Sequence, residues 1–230
     1  TAKCHPLVAR LLLQRGVRTT EEARTFLEKS LKDLHQPDLL PDLEPAVARI
    51  REALRRHETI GIYGDYDVDG ITATVLLVKY FHLLRPGSPV PFILSHRLKE
   101  GYGLSESGLK RLQEQGVTLI LTVDCGISNQ KEIAQARSMG MEVIVTDHHE
   151  PPPGFVPMDA MGAMDRAAAQ PAGFLALNAK RPDSRYPFRD LAGVGIAYKL
   201  AMALSQHLSG AKRVSDEFRR FLLDATGLVA

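Results

Sequence analysis

Over roughly the first fifty residues, apolar side chains recur at helical spacing. Leu7, Val8, Leu11 and Leu12 fall on one face of a helix. Thr19 and Glu22 have capping-box spacing, which predicts a short helix starting there. Leu39-Leu40-Pro41-Asp42 reads as a turn. Residues 43–57 place Val47, Ile50 and Leu54 on one side and Arg51, Arg55 and Arg56 elsewhere, predicting an amphipathic helix. From residue 58 the period changes. Residues 59–63, 91–94, 117–123 and 142–146 read as strands, and 71–84, 105–115 and 129–139 as helices between them. The strands are apolar throughout rather than alternating, the pattern of a sheet covered on both faces. Residues 151–171, rich in Pro, Gly, Ala and Met, read as a long loop or weak helix. A further strand is expected at 174–177 and helices at 194–208 and 216–223. The predicted class is α/β: a mostly parallel sheet with helices on both faces over 58–230, preceded by a helical segment over 1–57. No internal repeat or low-complexity tract interrupts it.

Composition narrows the function classes. A chain of 230 residues with 44% hydrophobic side chains can build a real core. Its 24% charged fraction, balanced in sign, argues against disorder. No apolar run approaches the ~18–20 residues that span a bilayer, so no membrane partner is expected. Residues 1–15 lack the charged head and long apolar stretch of a secretory signal. Cys4 and Cys125 are too few for a disulfide framework, so a cytoplasmic setting is expected. A net charge of +2 does not by itself indicate nucleic acid. With no Trp and 6% aromatics, an extended base-stacking platform is not expected.

The candidate chemistry lies where three predicted strands end. The first runs into Gly64-Asp65-Tyr66-Asp67-Val68-Asp69-Gly70, the third into Asp124-Cys125-Gly126, the fourth into Asp147-His148-His149. In open α/β sheets the ligand site lies beyond the carboxyl ends of the strands. These ends bring at least four carboxylates and two imidazoles to one place, and like charges so close need cations. Oxygen donors with one or two imidazoles suit Mg²⁺ or Mn²⁺ better than a thiolate zinc site. The Asp-x-Asp-x-Asp-Gly run also opens a calcium loop of the EF-hand type. Its twelfth position would then need Glu, and it is Leu76. A phosphate loop is excluded, because acids repel phosphate and no Gly-Lys-Ser/Thr follows. Asp124 taken alone is as readily a helix N-cap as a ligand. Cys125 reads as a small buried residue rather than a nucleophile.

In order and spacing these segments resemble the DHH phosphoesterase superfamily. Within it the chain is similar to the RecJ single-stranded-DNA exonucleases. The resemblance rests on residues 64–73 (GDYDVDGITA), 97–104 (RLKEGYGL), 123–126 (VDCG) and 146–149 (TDHH). It also rests on 180–183 (KRPD), Tyr186-Pro187-Phe188, 191–200 (LAGVGIAYKL) and, near the N-terminus, 39–43 (LLPDL). It extends from about residue 5 to the end of the chain. The metal motifs alone specify the superfamily, and the added segments point to RecJ.

The resemblance implies a 5′→3′ single-stranded-DNA exonuclease that hydrolyses phosphodiesters with two Mn²⁺ or Mg²⁺ ions, in recombination and repair. Asp67 would ligate one ion, Asp69 and His148 the other, with Asp124 bridging. His149 would face the scissile phosphate, and Asp65 would stand behind the ligands or join them. Arg97 would hold a DNA phosphate, that of the 5′ end, since a guanidinium binds phosphate bidentately. The alternative for Arg97 is a surface pair with Glu100. Lys180, Arg181, Arg185 and Arg189 form a basic run that would line a strand-binding groove or remain solvated loop charge. Gly193-Val194-Gly195 would open a helix whose N-terminus attracts phosphate, or serve close packing only. Expected partners are single-stranded DNA with a 5′ end, a helicase and a single-strand-binding protein. The family's fourth motif carries another Asp beyond this helix. Asp224 comes too early for it, so the expectation is a chain cut short of that acid, of a DHH-associated domain and of an OB-fold domain. Two rival functions remain. One is a smaller-substrate DHH phosphodiesterase acting on oligonucleotides or cyclic dinucleotides. The other is a degenerate DHH scaffold that binds nucleic acid or a replication partner without cutting.

Overall fold

The computed structural model describes residues 4–28, 33–98, 101–155, 174–211 and 215–226. Most of the loop expected at 151–171 therefore lies outside the described residues, as do Glu100 and the side chain of Asp224. The chain divides into two compact units, Thr1–His35 and Gln36–Ala230.

The first unit holds α1 (Pro6–Gln14) and α2 (Thr20–Leu27). The capping box forms as its spacing predicts. Thr19 Oγ1 accepts from the Glu22 amide at 3.1 Å, and Glu22 Oε2 accepts from the Thr19 amide at 2.9 Å.

The second unit opens with a 3-10 turn at Pro37–Leu39 and α3 (Leu43–Arg55). It continues with β1 (Thr59–Gly64), α4 (Val68–Leu84), β2 (Phe92–Leu94), α5 (Glu106–Glu114), β3 (Val117–Val123), α6 (Gln130–Ser138) and β4 (Glu142–Thr146). It closes with β5 (Leu175–Leu177), α7 (Gly193–Ser209) and α8 (Asp216–Thr226). Helix α3, grouped by sequence with the N-terminal segment, belongs to this unit. It buries Leu43, Ala46, Val47, Ile50 and Ala53, and it packs on α7 and β5.

Five parallel strands run in the order β2-β1-β3-β4-β5. One face buries Tyr63, Ile93, Ile120, Val143, Val145 and Ala176 against Leu109 and Leu112 of α5 and Ile133 and Ala136 of α6. Helices α4 and α7 cover the other face, with α3 and α8 packed around them. The apolar strands are thus covered on both sides, as a crossover-built parallel sheet requires. The strand order reverses between β1 and β3, since β1 leads outward to β2 and the chain then returns on the other side. Diverging connections leave a crevice beyond the carboxyl ends at such a switch point, the usual ligand position of open α/β sheets.

No helix among the described residues is long and apolar enough to cross a membrane.

Candidate metal centre

The loop after β1 enters α4 by a cap. Asp67 Oδ1 accepts from the amides of Asp69 at 2.9 Å and Gly70 at 3.0 Å, so one of its oxygens is fixed. Asp65 is buried and accepts from Ser95 Oγ at 2.8 Å. Gly70 is required for close approach. A Cβ there would lie 2.5 Å from the Asp65 carbonyl oxygen.

Asp124 follows β3 with φ of 60°, a left-handed conformation that β-carbon-bearing residues adopt at a cost. That geometry aims the side chain into the crevice rather than at α6, which begins only at Gln130. Asp124 is 1% exposed, yet neither carboxylate oxygen accepts a hydrogen bond from a described residue. His148 Nε2 lies 3.0 Å from its Oδ1, an ion-pair distance without hydrogen-bond alignment. Burial pushes the Asp124 carboxyl up to about 7; His148 opposes the rise, and the charges of Asp69 and Asp67 add to it.

The turn after β4 is built on Asp147, which is fully buried. Its Oδ1 accepts from the amides of His148 at 2.7 Å and His149 at 3.1 Å, and its Oδ2 from the Ile127 amide at 2.9 Å. The same Oδ1 lies 2.7 Å from His149 Nδ1, which places the Nδ1 proton there and leaves Nε2 free to face a ligand. Both imidazoles are held above their usual pKa, His148 chiefly by Asp124 and His149 chiefly by Asp147.

Ligand atoms of Asp65, Asp67 and Asp124 all lie within 4.8 Å of one another, and so do those of Asp124, His148 and His149. Asp124 is common to both groups. Two groups sharing one carboxylate suit a pair of cations, because a carboxylate has an oxygen for each. A buried carboxylate with two unsatisfied oxygens among other acids is the defect that a divalent cation corrects. The residues therefore fit Mg²⁺ or Mn²⁺.

Asp69 is placed differently. Its two oxygens accept from the Gly193 and Val194 amides, both at 2.6 Å, so it anchors the N-terminus of α7 and stands 3.6 Å from His148 Nε2. The phosphate expected at that helix terminus is thereby displaced by a carboxylate of the chain itself. Gly193 serves close packing, since its Cβ would lie 2.6 Å from Asp124 Oδ1. Arg97 sits with its guanidinium 5.6 Å from the centre of the Tyr66 ring, beside the Asp65–Asp67 turn. Lys180 Nζ lies 3.6 Å from Glu150 Oε1, next to the paired histidines. Arg181 is no groove residue. It is fully buried, paired to Asp42 and, at 2.6 Å, to Asp183. Cys125 is buried in the core, and burial pushes its thiol pKa well up, as its small-residue reading requires.

Sequence reasoning missed Tyr102 and Asn178. Tyr102 Oη lies 2.8 Å from His149 Nδ1 and donates to the Asp124 carbonyl at 3.3 Å. Gly101 and Gly103 on either side, at φ of 78° and 85°, were the available signal of a shaped backbone there. Asn178 carried no comparable signal.

The DHH family, N-terminal domain, matches residues 59–226. The single-stranded-DNA-specific exonuclease RecJ of Bacillus subtilis is 41% identical over 199 residues, covering 86% of this chain and 23% of the relative. The Escherichia coli protein of the same name is 36% identical over 207 residues, covering 90% and 32%. The chain thus spans only 23% and 32% of these relatives' lengths. A crystal structure of exonuclease RecJ bound to manganese superimposes with a TM-score of 0.59 at 35% identity, covering 76% of this chain and 40% of the other.

Proposed function

Because this chain belongs to the DHH family, we propose that it carries the catalytic centre of a RecJ-type 5′→3′ single-stranded-DNA exonuclease working with two Mn²⁺ or Mg²⁺ ions in recombination and repair. The observation that carries the reading is Asp124, buried and without a hydrogen bond between two convergent ligand groups. The substrate rests on the RecJ relatives, and the direction on Arg97 beside the acidic turn as the holder of a 5′ phosphate. The proposed setting is cytoplasmic, alongside a helicase and a single-strand-binding protein.

Asp65, Asp67 and Asp124 would hold one ion and Asp124 with His148 the other, while Asp69 keeps α7 against the centre. Divalent cations held there would neutralise a phosphodiester and lower the pKa of a water so that hydroxide is available to attack near neutral pH. The chain does the rest. His149, its Nδ1 proton held by Asp147, turns Nε2 toward the phosphate and, when protonated, donates there. Arg97 binds a substrate phosphate at the far side of the Asp65–Asp67 turn, with Lys180 a second contact on the histidine side. Gly193 keeps α7 from crowding Asp124.

The test is a long 5′-phosphorylated single strand and a dinucleotide, each offered with Mn²⁺ and again with chelator. Mononucleotides should be released from the long strand and only with metal. Release from the dinucleotide alone favours the small-substrate alternative, and binding without cleavage favours the scaffold.

A further inference from the structure

We infer that Asn178, braced by Arg181, is a positioning residue that sets where the His149 ring sits. The inference deepens the proposed function and rests on His149 facing the phosphate. The β4–β5 ladder ends where the Asp147 amide donates to the Leu177 carbonyl at 3.1 Å. Two residues beyond Asp147, His149 has no strand beside it among the described residues to hold its carbonyl. A side chain closes that gap. Asn178, fully buried, donates from Nδ2 to the His149 carbonyl at 2.8 Å. Its Oδ1 accepts from the Lys180 amide at 2.7 Å, which fixes which end of the amide faces His149.

The turn that presents Asn178 is itself pinned. Arg181 Nη1 donates to the Ala176 carbonyl at 2.7 Å and to Asp42. Its Nε and Nη2 donate to Asp183 at 3.0 and 2.6 Å. The guanidinium also lies 5.5 Å from the centre of the Phe155 ring. Asp42 closes the circuit by accepting from the Ala176 amide at 2.9 Å. The LLPDL and KRPD segments are therefore two halves of one buried bracket, and the bracket ends on the histidine turn. His149 is then held at three points: its ring nitrogen at Asp147 and Tyr102, its amide at Asp147 and its carbonyl at Asn178. The first two come from its own turn and from the GYGL segment. Among the described residues, only Asn178 ties its position to the neighbouring strand.

Asn178→Asp separates positioning from mere support. It keeps the acceptor for Lys180 and replaces the donor facing His149 with an oxygen. The expected result is a kcat about 10- to 100-fold lower with KM little changed. The ¹⁵N side-chain resonances of His149 should move as well. Asn178→Ser, smaller and uncharged, is read the same way and stands in if the aspartate variant does not fold. A lowered melting temperature with unchanged kcat and unmoved His149 resonances overturns the inference, because that is what support of the turn alone predicts. If the unaltered protein releases no mononucleotide, the nuclease reading fails, and the His149 resonances still decide the role of Asn178.

Discussion

Two clusters of acids in this domain are each centred on a fully buried group, Arg181 in one and Asp124 in the other, and they solve the same electrostatic problem in opposite ways. Around Arg181, Asp42 and Asp183 find a guanidinium between them, and its donors are used on both sides. Around Asp124, the nearby acids Asp65, Asp67 and Asp69 have no Lys or Arg partner at the centre among the described residues; His148, 3.0 Å from Oδ1, brings the one positive charge there, and the central carboxylate accepts no hydrogen bond from a described residue. A buried charge with its own counterion is architecture. A buried charge among other acids with only an imidazole beside it is a place prepared for something that arrives. Both clusters look alike as sequence, a few Asp near turns, and only their surroundings separate them.

The largest expected effect breaks the unsatisfied cluster. Asp124→Asn should lower nuclease turnover by at least ~10³-fold, about 4 kcal/mol of barrier, while metal-free protein melts at the same or higher temperature because a buried charge is gone. Turnover assays and melting in chelator check both halves. A metal-free protein clearly destabilised by this change would mean that the Asp124 charge is already compensated.

Breaking the satisfied cluster should do the reverse. Arg181→Met strands Asp42 in the interior and should cost roughly 3–5 kcal/mol in urea unfolding, whether or not metal is present. A loss confined to strand binding would return Arg181 to the groove.

Lys199 sharpens the comparison as a buried cation. It is 1% exposed, its ammonium lies near the rings of Tyr198 and Tyr186, and burial lowers its pKa from 10.5 to about 8, with Arg219 adding to the fall. Between these values the unfolded chain binds the proton and the folded chain does not. Stability should therefore rise with pH from about 8 to about 10.5, by on the order of 3 kcal/mol. Lys199→Met should flatten that rise in denaturant titrations across the range. An unchanged slope would assign the rise to another group.

The smallest effect is steric. Gly193→Ala pushes a methyl against Asp124 and should lower Mn²⁺ affinity about tenfold, read by calorimetry, without unfolding α7.

Much of this is legible in the sequence. The strands at Val117–Val123 and Glu142–Thr146 were bounded as the structure has them, because a continuous apolar run between turn residues leaves little choice. The capping box at Thr19 and Glu22 was equally local. Asp65, Asp67, Asp124, His148 and His149 converge because strand ends in a parallel sheet share an edge, and three acidic ends can be counted along the chain. Tertiary structure decided what each acid does there. Asp69 turned to the amides of α7, a helix more than a hundred residues away, and Asp147 became the hub of its own turn. Arg181 left the expected groove for the interior because Asp42, on another element, was there to receive it. Periodicity and motif spacing are properties of neighbours in sequence, so the chain alone specified the elements and the edge where the acids collect. Which carboxylate has a partner depends on distances between remote segments, and those exist only once the sheet has formed.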